Sequence, residues 1–321
     1  MRAIVQNGYG SADVLRMADI DQPAIAADEV LIQVRAAGVD RGVWHVMAGR
    51  PYAIRLAFGL HGPRDRVAGL DVAGTVVAIG DDVTGFAVGD EVFGLSRGSF
   101  AEYAAAKADR LAHKPAALSF EAAAVVAVSA ITALQGLRDL ARVRAGQHVL
   151  VIGASGGVGT YAVQLAKALG AEVTGVCATA KVDLVRSIGA DHVIDRTTTD
   201  FGAGDTRYDV IIDIAGNTPL SRLRRVLTPT GTLVIAGGED AGDWLGMGRQ
   251  VRALALSVFV RQRLTMLLSR PKRADLDALC ELVDAGRLTP VVGTTYALAD
   301  APEALRHLES GQARGKIAIT V

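Results

Sequence analysis

The sequence predicts an α/β protein with two domains, one built on a parallel sheet and the other rich in β-strands. Residues 30–114 contain short apolar runs separated by Gly and Asp pairs, which is typical of an all-β, barrel-like domain. Beyond residue 119, apolar runs alternate with amphipathic helices. That alternation is the pattern of a parallel sheet covered by helices.

The predicted elements follow in chain order. Residues 1–10 begin with a strand, and a helix capped by Ser119 is expected at residues 119–142. Five apolar runs have the composition of buried parallel strands; they are residues 148–154, 172–178, 192–196, 208–216 and 231–238. Residues 247–268 fit either one long helix or a helix followed by a strand, and we favour a helical segment followed by a sixth strand at residues 264–268. The tail is expected to form, in order, a helix, a strand, a helix and a strand, at residues 275–285, 291–296, 302–308 and 316–321.

Composition argues against nucleic acid as a partner. The 321 residues are enough for two domains with buried cores. The 34 basic and 34 acidic side chains give a formal net charge of zero. Non-specific nucleic-acid binding needs clustered positive charge, so we expect no nucleic-acid partner.

Cysteine content and apolar runs predict the compartment. Cys177 and Cys280 are too few for a disulfide framework or a four-thiolate zinc site. Residues 1–10 lack the apolar core of a signal peptide. The longest apolar stretch, residues 122–134, is shorter than the roughly 20 residues that span a bilayer. We therefore expect a cytoplasmic protein that does not enter membranes.

The sharpest local signal is a glycine-rich turn between a strand and a helix. Its residues are Ala154, Ser155, Gly156, Gly157, Val158 and Gly159. Glycines permit a tight turn and let backbone amides approach a pyrophosphate at the positive end of the helix. Because the strand, the turn and the helix are all present, the sequence predicts a dinucleotide site. A turn that merely joins the two elements is the alternative.

The end of the second parallel strand predicts which dinucleotide binds. NAD enzymes place a carboxylate there, about 20 residues beyond the turn, to bind the adenosine ribose. This chain instead has Thr179, which can donate to a phosphate, and Lys181, which can neutralise it. Arg196, at the end of the third strand, can stack on adenine or contact the same phosphate. We expect NADP(H), with ordinary solvated charge as the alternative for both cations.

Several motifs together resemble the medium-chain dehydrogenase/reductase superfamily. They are GDEVFG, SAITALQGL, GASGGVG, GADHVID and GKIAITV. The ASGGVG form of the turn is most similar to the zinc-independent quinone oxidoreductase and enone reductase branch. The resemblance implies a Rossmann domain with a doubly wound parallel sheet at residues 119–272. It also implies a GroES-like β-barrel catalytic domain in two pieces, residues 1–118 and 273–321, with the cofactor in the cleft between the domains.

The same resemblance implies that no zinc is bound. Asp40, Leu70 and Val128 stand where zinc-dependent members have their three ligands, and a catalytic zinc takes three protein ligands. Gly42 replaces the hydroxyl residue that begins the proton relay of alcohol oxidation. Without a metal ion or that hydroxyl, nothing favours removal of a proton from an alcohol to form an alkoxide. Reduction of a polarised double bond by hydride transfer needs less help, because orientation supplies most of the catalysis.

The resemblance also assigns candidate catalytic residues. Tyr52 resembles a tyrosine that would donate to the substrate carbonyl oxygen; a packing or surface tyrosine is the alternative. Asp40 would accept a hydrogen bond from the nicotinamide ribose or amide. His45 matches a relay histidine of zinc-dependent members, but with Gly42 interrupting the relay a loop residue is the simpler interpretation.

Further candidates would contact the cofactor. Arg41 is placed to meet the pyrophosphate, and Thr132 to face the nicotinamide. Asn217, Ala236 and Gly237 follow the fourth and fifth parallel strands and would line the cofactor crevice.

An uncovered sheet edge predicts a homodimer. Relatives pair the edge strands of their Rossmann sheets, and the candidate edge here is residues 264–268. The apolar segment 252–260 would pack in the core or at the dimer interface, with a substrate lid as the alternative.

The leading hypothesis is an NADPH-dependent, zinc-free reductase of small quinones or α,β-unsaturated carbonyls. An NADP-dependent alcohol dehydrogenase or carbonyl reductase is the alternative among enzymes. A non-catalytic NADPH-binding protein is the alternative from another class, because a shared fold does not establish turnover.

Overall fold

Residues 1–237, 244 and 246–321 are described by the computed structural model of the chain. Their contacts divide the chain into two units. The first unit combines Met1–Ile131 with Pro271–Val321, and the second is Thr132–Arg270. Within the described ranges, the helices are all too short or too polar to cross a membrane.

The first segment of the first unit is rich in strands, as its punctuated apolar runs predict. Its seven strands are β1 (Arg2–Val5), β2 (Arg16–Asp19), β3 (Glu29–Val39), β4 (Asp71–Ile79), β5 (Glu91–Leu95), β6 (Tyr103–Lys107) and β7 (Leu111–His113). Its helices are α1 (Arg41–Ala48), α2 (Arg55–Phe58) and α3 (Phe120–Ala124). The all-β expectation is therefore corrected between β3 and β4. Asp40 caps α1 there, because its side chain accepts from the amides of Gly42 and Val43.

The helix expected at residues 119–142 is interrupted. Ser119 caps α3, as predicted, but α3 ends at Ala124. A second helix, α4 (Ala127–Leu134), then starts and continues as a π-helical segment, Gln135–Ala141. At the break, the Val128 amide donates to the Asp71 carboxylate at 2.9 Å.

The second unit contains a six-stranded parallel sheet. Its strands are β8 (His148–Ile152), β9 (Glu172–Cys177), β10 (His192–Asp195), β11 (Tyr208–Asp213), β12 (Leu227–Ile235) and β13 (Arg263–Met266). Its other helices are α5 (Gly157–Ala168), α6 (Val182–Ser187), α7 (Leu220–Val226) and α8 (Gly248–Ser257). The spatial order β10-β9-β8-β11-β12-β13 is that of a doubly wound Rossmann sheet, which confirms the predicted fold class. The last residue of the run expected at 231–238 lies outside the described residues.

The second segment of the first unit completes a seven-stranded sheet. Its elements are α9 (Arg273–Asp284), β14 (Val292–Ala297), α10 (Ala301–Glu309) and β15 (Lys316–Thr320). The sheet has the order β14-β15-β3-β4-β5-β7, with β6 also paired to β3. Residues up to Ile131 group with this unit, beyond the boundary expected near residue 118, because α3 packs on β3 and β4.

A buried ion pair joins three elements of the first unit. Asp71, at the start of β4, is inaccessible to solvent, and Lys316, at the start of β15, is 2% exposed. The Lys316 ammonium lies 3.6 Å from Asp71 Oδ2 and donates to the Ser129 hydroxyl of α4 at 3.1 Å. Together with the bond from Val128 to Asp71, these contacts fix the start of α4 against both strands.

The carboxyl group of Asp71 titrates far from its ordinary value of 3.8. Burial raises the pKa of Asp71 to about 7, the ammonium of Lys316 opposes that rise, and the negative charge of Asp40 adds to it. Asp71 Oδ2 and Asp40 Oδ2 are both buried without a hydrogen-bond partner among the described residues. Ionisation of Asp71 is therefore costly in the folded chain.

This raised pKa predicts a pH-dependent stability. Between the ordinary pKa of 3.8 and about 7, the folded chain holds a proton on Asp71 that the unfolded chain has lost. The contribution of Asp71 to stability is therefore fully present below the unfolded pKa and is lost as pH rises through the folded pKa. Asp71→Asn does not ionise, so its unfolding free energy relative to that of the wild type should rise with pH across this window.

Urea denaturation at a series of pH values measures this difference. Asp109→Asn, which changes an exposed carboxylate in the same unit, is the matched control and should differ from the wild type by a nearly constant amount. A constant difference for Asp71→Asn as well would contradict the assignment.

Candidate nucleotide and substrate site

The glycine-rich turn places the start of α5 directly on the end of β8. Gly153 has a φ of +90°, a conformation that favours glycine. A Cβ atom at Gly159 would lie 2.0 Å from the Gly153 carbonyl oxygen, so any side chain there would push the helix away from the turn. Gly156 caps α5 without a side chain. The cradle of backbone amides at the helix N-terminus therefore fits a pyrophosphate.

The turn lies beside the loop that follows β11. The Ile214 amide donates to the Ile152 carbonyl at 3.0 Å, and a Cβ atom at Gly153 would lie 3.3 Å from the Ala215 amide. The strand order reverses between β8 and β11, so the turn and the loop lie at the carboxyl ends of these strands, at the switch point of the sheet. Doubly wound sheets bind their ligands at such a switch point.

Three predicted cofactor residues come together at the carboxyl ends of the strands. Asn217 is exposed in the loop after β11, whereas Ala236 and Gly237 are half-buried after β12. The amides of Ala236 and Gly237 both donate to the Asp213 carbonyl, at 2.9 and 3.2 Å. A Cβ atom at Gly237 would lie 1.9 Å from the Ile214 carbonyl oxygen, so the two loops approach each other only because this residue is glycine.

A buried aspartate and arginine hold these loops, and the local sequence pattern did not point to them. Arg249 of α8 forms an ion pair with Asp213, which is inaccessible to solvent. The same guanidinium donates to the Thr218 carbonyl at 2.8 Å, and Asp213 also accepts from the Gly216 amide at 3.2 Å. Burial raises the pKa of Asp213, and Arg249 opposes the rise. The pair therefore fixes the loop after β11 from below the predicted cofactor surface.

At the end of β9, Thr179 has a different partner from the one expected. Its hydroxyl lies 2.6 Å from that of Thr197, and its hydrogen bond to Asp195 lowers the pKa of that carboxyl. Asp195 reaches this corner because β10 pairs with β9 in a register that sets Asp195 opposite Cys177. Thr179 therefore has a partner within the chain, and a contact between its hydroxyl and a phosphate stays a prediction.

The charge at this corner is nevertheless positive. Burial raises the pKa of the Cys177 thiol, and the negative charge of Asp195 adds to the rise. Three cations act on the same thiol in the opposite direction; they are Lys181, Arg196 and Arg186. Arg186 is itself paired with Asp183 at 3.7 Å, so the positive charges of Lys181 and Arg196 are the ones that suit a phosphate.

In the first unit, the candidates at the start of α1 have structural roles. Asp40 Oδ1 accepts from the Gly42 amide at 2.7 Å, which leaves only Oδ2 for another partner. The Arg41 guanidinium lies 5.5 Å from the centroid of the Trp44 ring. His45 Nδ1 lies 2.7 Å from the Arg50 carbonyl oxygen. His45 lies within α1, so its interpretation as a loop residue is corrected.

Tyr52 and Thr132 lie in different units. Tyr52 opens a 3-10 turn, Tyr52–Ile54, and its ring is half-buried beneath the Arg55 guanidinium, whose carbon lies 4.7 Å from the ring centroid. Thr132 is half-buried in α4 and is the first residue of the second unit.

The three positions expected to replace zinc ligands provide a poor donor set. Asp40 uses one oxygen to cap α1, Leu70 has an apolar side chain, and Val128 contributes only its backbone amide to Asp71. The Lys316 ammonium already neutralises the neighbouring carboxylate of Asp71. Across residues 1–237, 244 and 246–321, no three His, Cys, Asp or Glu side chains form a group that suits a metal ion. These residues do not fit a catalytic zinc.

Comparison with known proteins assigns both units to one family. The family model for the alcohol dehydrogenase GroES-like domain matches residues 26–116, and that for zinc-binding dehydrogenase matches residues 188–319. The quinone-oxidoreductase homolog of the Spinacia oleracea chloroplast is 31% identical over 99% of this chain and 98% of its own length. A mycobacterial protein solved in complex with NADPH is 27% identical, with a TM-score of 0.85 over the full length of both chains.

A longer protein matches as well. The spectinabilin polyketide synthase system protein NorB of Streptomyces orinoci is 35% identical over 98% of this chain, which spans only 14% of that protein. The two family models and the full-length relative agree with the doubly wound sheet and the strand-rich unit. The chain belongs to the medium-chain dehydrogenase/reductase superfamily, in its quinone oxidoreductase and enone reductase-like branch, and is an oxidoreductase that uses a pyridine nucleotide.

Proposed function

We propose that the chain is an NADPH-dependent reductase of small quinones or α,β-unsaturated carbonyls that works without zinc. The observation that carries this proposal is the contrast between the two units. The second unit keeps a complete glycine cradle for a dinucleotide, whereas the first unit retains a single carboxylate where zinc enzymes have three ligands. A reaction that depends on orientation rather than on a Lewis acid fits this contrast.

The proposed mechanism assigns separate tasks to the two units. Bound NADPH would supply the hydride. The start of α5 would hold the pyrophosphate through its free amides, and the Asp213–Arg249 pair would keep the loop after β11 in place beside the nicotinamide. Tyr52 would donate to the carbonyl oxygen of the substrate, where negative charge develops as the β-carbon is reduced. Asp40 would orient the cofactor through the oxygen that capping leaves available.

We also propose that the protein is a homodimer formed through β13. This strand lies at the edge of the six-stranded sheet, and an uncovered edge invites pairing with another strand. Val258 and Phe259, just before β13, are 80% and 84% exposed. A second copy would cover them.

Cofactor preference is the first test. Fluorescence titration should show that NADPH binds more tightly than NADH, because Lys181 and Arg196 both act as positive charges on Cys177 at the end of β9. Lys181→Ala should weaken NADPH binding about tenfold or more and change NADH binding little. Arg207→Ala is the matched control, since Arg207 lies at the amino end of β11, whereas the predicted cofactor site lies at the carboxyl ends of the strands. Equal affinity for the two cofactors would exclude the assignment of NADPH.

Metal removal is the second test. The donor set at Asp40, Leu70 and Val128 predicts that purified protein contains no stoichiometric zinc and that a chelator leaves turnover unchanged. Elemental analysis and rates measured before and after dialysis against chelator check both points. One tightly held zinc per chain, with turnover lost on chelation, would contradict the zinc-free mechanism.

The third test concerns Tyr52. Tyr52→Phe keeps the ring beneath Arg55 and removes only the donor, so the turnover number should fall about 100-fold or more while NADPH affinity stays the same. Tyr103→Phe, on β6 of the same unit, should leave both quantities unchanged. Wild-type turnover of an enone by Tyr52→Phe would show that Tyr52 is not the donor.

A further inference from the structure

Arg55, which has no acidic partner among the described residues, is fixed beside Tyr52. The guanidinium carbon of Arg55 lies 4.6 Å from the centroid of the Tyr9 ring and 4.7 Å from that of the Tyr52 ring. Its Nε donates to the Gly49 carbonyl at 2.9 Å. In the described part of the chain, the terminal nitrogens of Arg55 contact no acceptor, and no carboxylate pairs with them. The guanidinium is therefore held by two rings and a carbonyl rather than by an opposite charge.

The surrounding residues are packed closely enough to hold Arg55 in one position. A Cβ atom at Gly49, where φ is +60°, would lie 2.4 Å from the Tyr9 ring and 2.8 Å from Arg55 Nε. The Tyr9 hydroxyl donates to the Gly59 carbonyl at 2.5 Å, so this ring is fixed as well. Because the guanidinium is already ordered, a ligand that binds it loses little side-chain entropy.

A second arginine, Arg64, lies next to the end of α2, because its amide donates to the Phe58 carbonyl at 2.7 Å. Burial raises the pKa of Tyr9, and the positive charges of Arg55 and Arg64 both oppose the rise. Arg64 is exposed and, within the described residues, has no ion pair. Residues 50–66 contain four arginines and a single acidic residue, Asp65, in a chain whose formal net charge is zero. Like charges gathered in this way repel one another unless an anion lies with them.

We propose that Arg55 and Arg64 bind an anionic group, a carboxylate or a phosphate, that the substrate itself carries. Guanidinium groups match the geometry of both anions, and the two terminal nitrogens of Arg55 are available for a bidentate contact. Leu56 and Phe58, which follow Arg55 in α2, are 75% and 43% exposed, so the adjoining surface suits a carbon chain. The inference rests on the proposed function, because it takes Tyr52 as the residue that holds the carbonyl oxygen. The substrate class is then an enone or quinone that bears an acidic group.

A matched pair of substrates tests the inference. One is an enone with a terminal carboxylate, and the other is the same enone as its neutral carboxamide. The wild type should have a KM for the carboxylate about tenfold lower than for the carboxamide, and added salt should raise only the former. Arg64→Gln should remove most of this difference. Arg55→Gln should also remove it, and it should lower the turnover number for both enones by a similar factor, because Arg55 packs on the ring of Tyr52.

Two variants and a control separate this effect from a loss of structure. Arg55→Gln removes a packed side chain, whereas Arg64→Gln changes only an exposed one. Arg16→Gln, at an exposed position on β2, should leave both KM values unchanged. Equal KM values for the two enones in the wild type would overturn the inference. The inference would also be overturned if Arg64→Gln raised the KM by the same factor for both enones.

Calorimetry with the same two enones, in the absence of turnover, keeps the inference distinct from the proposed function. Tighter binding of the carboxylate that is lost in both arginine variants supports the site even if neither enone is reduced. Reduction of both enones without any difference in binding supports the function and rejects the site. Inorganic phosphate provides a further arm: if it binds in an Arg55-dependent way while the carboxylate gains nothing over the carboxamide, the site takes a free anion and the inference fails.

Discussion

The close approach of α5 to the Gly153 carbonyl is the constraint on which the proposed cofactor site depends. Gly159 has room for a hydrogen atom and nothing larger, because a Cβ atom would lie 2.0 Å from that oxygen. The helix therefore begins at the very end of β8, and its unpaired amides lie at the reversal point of the strand order. The loop after β11 lies against this turn, and the loop after β12 packs on the loop after β11 through a second glycine, Gly237. At the carboxyl ends of the strands, the turn after β8 therefore provides amides for an anion, and the loops after β11 and β12 provide a surface for the rest of a dinucleotide.

In each unit a buried aspartate is paired with a cation. Asp71 pairs with Lys316 in the first unit, and Asp213 pairs with Arg249 in the second. Burying charges costs several kcal/mol per ion, and a partner offsets this cost only when the geometry is good. Such pairs are therefore weak evidence of stabilisation. Their consequence here is positional, since the first fixes the start of α4 and the second fixes the loop after β11.

Local patterns in the sequence were sufficient to predict most of the fold. Apolar runs placed all six parallel strands within a few residues, because burial on both faces of a sheet selects continuous apolar sequence. The glycine cradle was equally local. The Asp213–Arg249 pair was not, because its partners are 36 residues apart and no periodicity connects them. The partner of Thr179 depended on the register of β10 against β9, which brings Asp195 to the same corner. Asp71 stands beside an otherwise apolar run, which suggests a buried carboxylate that needs a partner. No local pattern identified Lys316 as that partner.

The fate of the transferred hydride distinguishes the proposed reaction from its alternatives. NADPH is deuterated at C4 of the nicotinamide, the carbon that releases the hydride, in each of the two stereochemical forms. Each form is incubated with protein, chelator and an enone, and the product is examined by NMR. The account predicts that one form delivers deuterium to the β-carbon and leaves a saturated ketone. Deuterium on the carbonyl carbon would identify a carbonyl reductase. The absence of deuterium from the product with both forms, despite cofactor binding, would identify a protein that binds NADPH without using it.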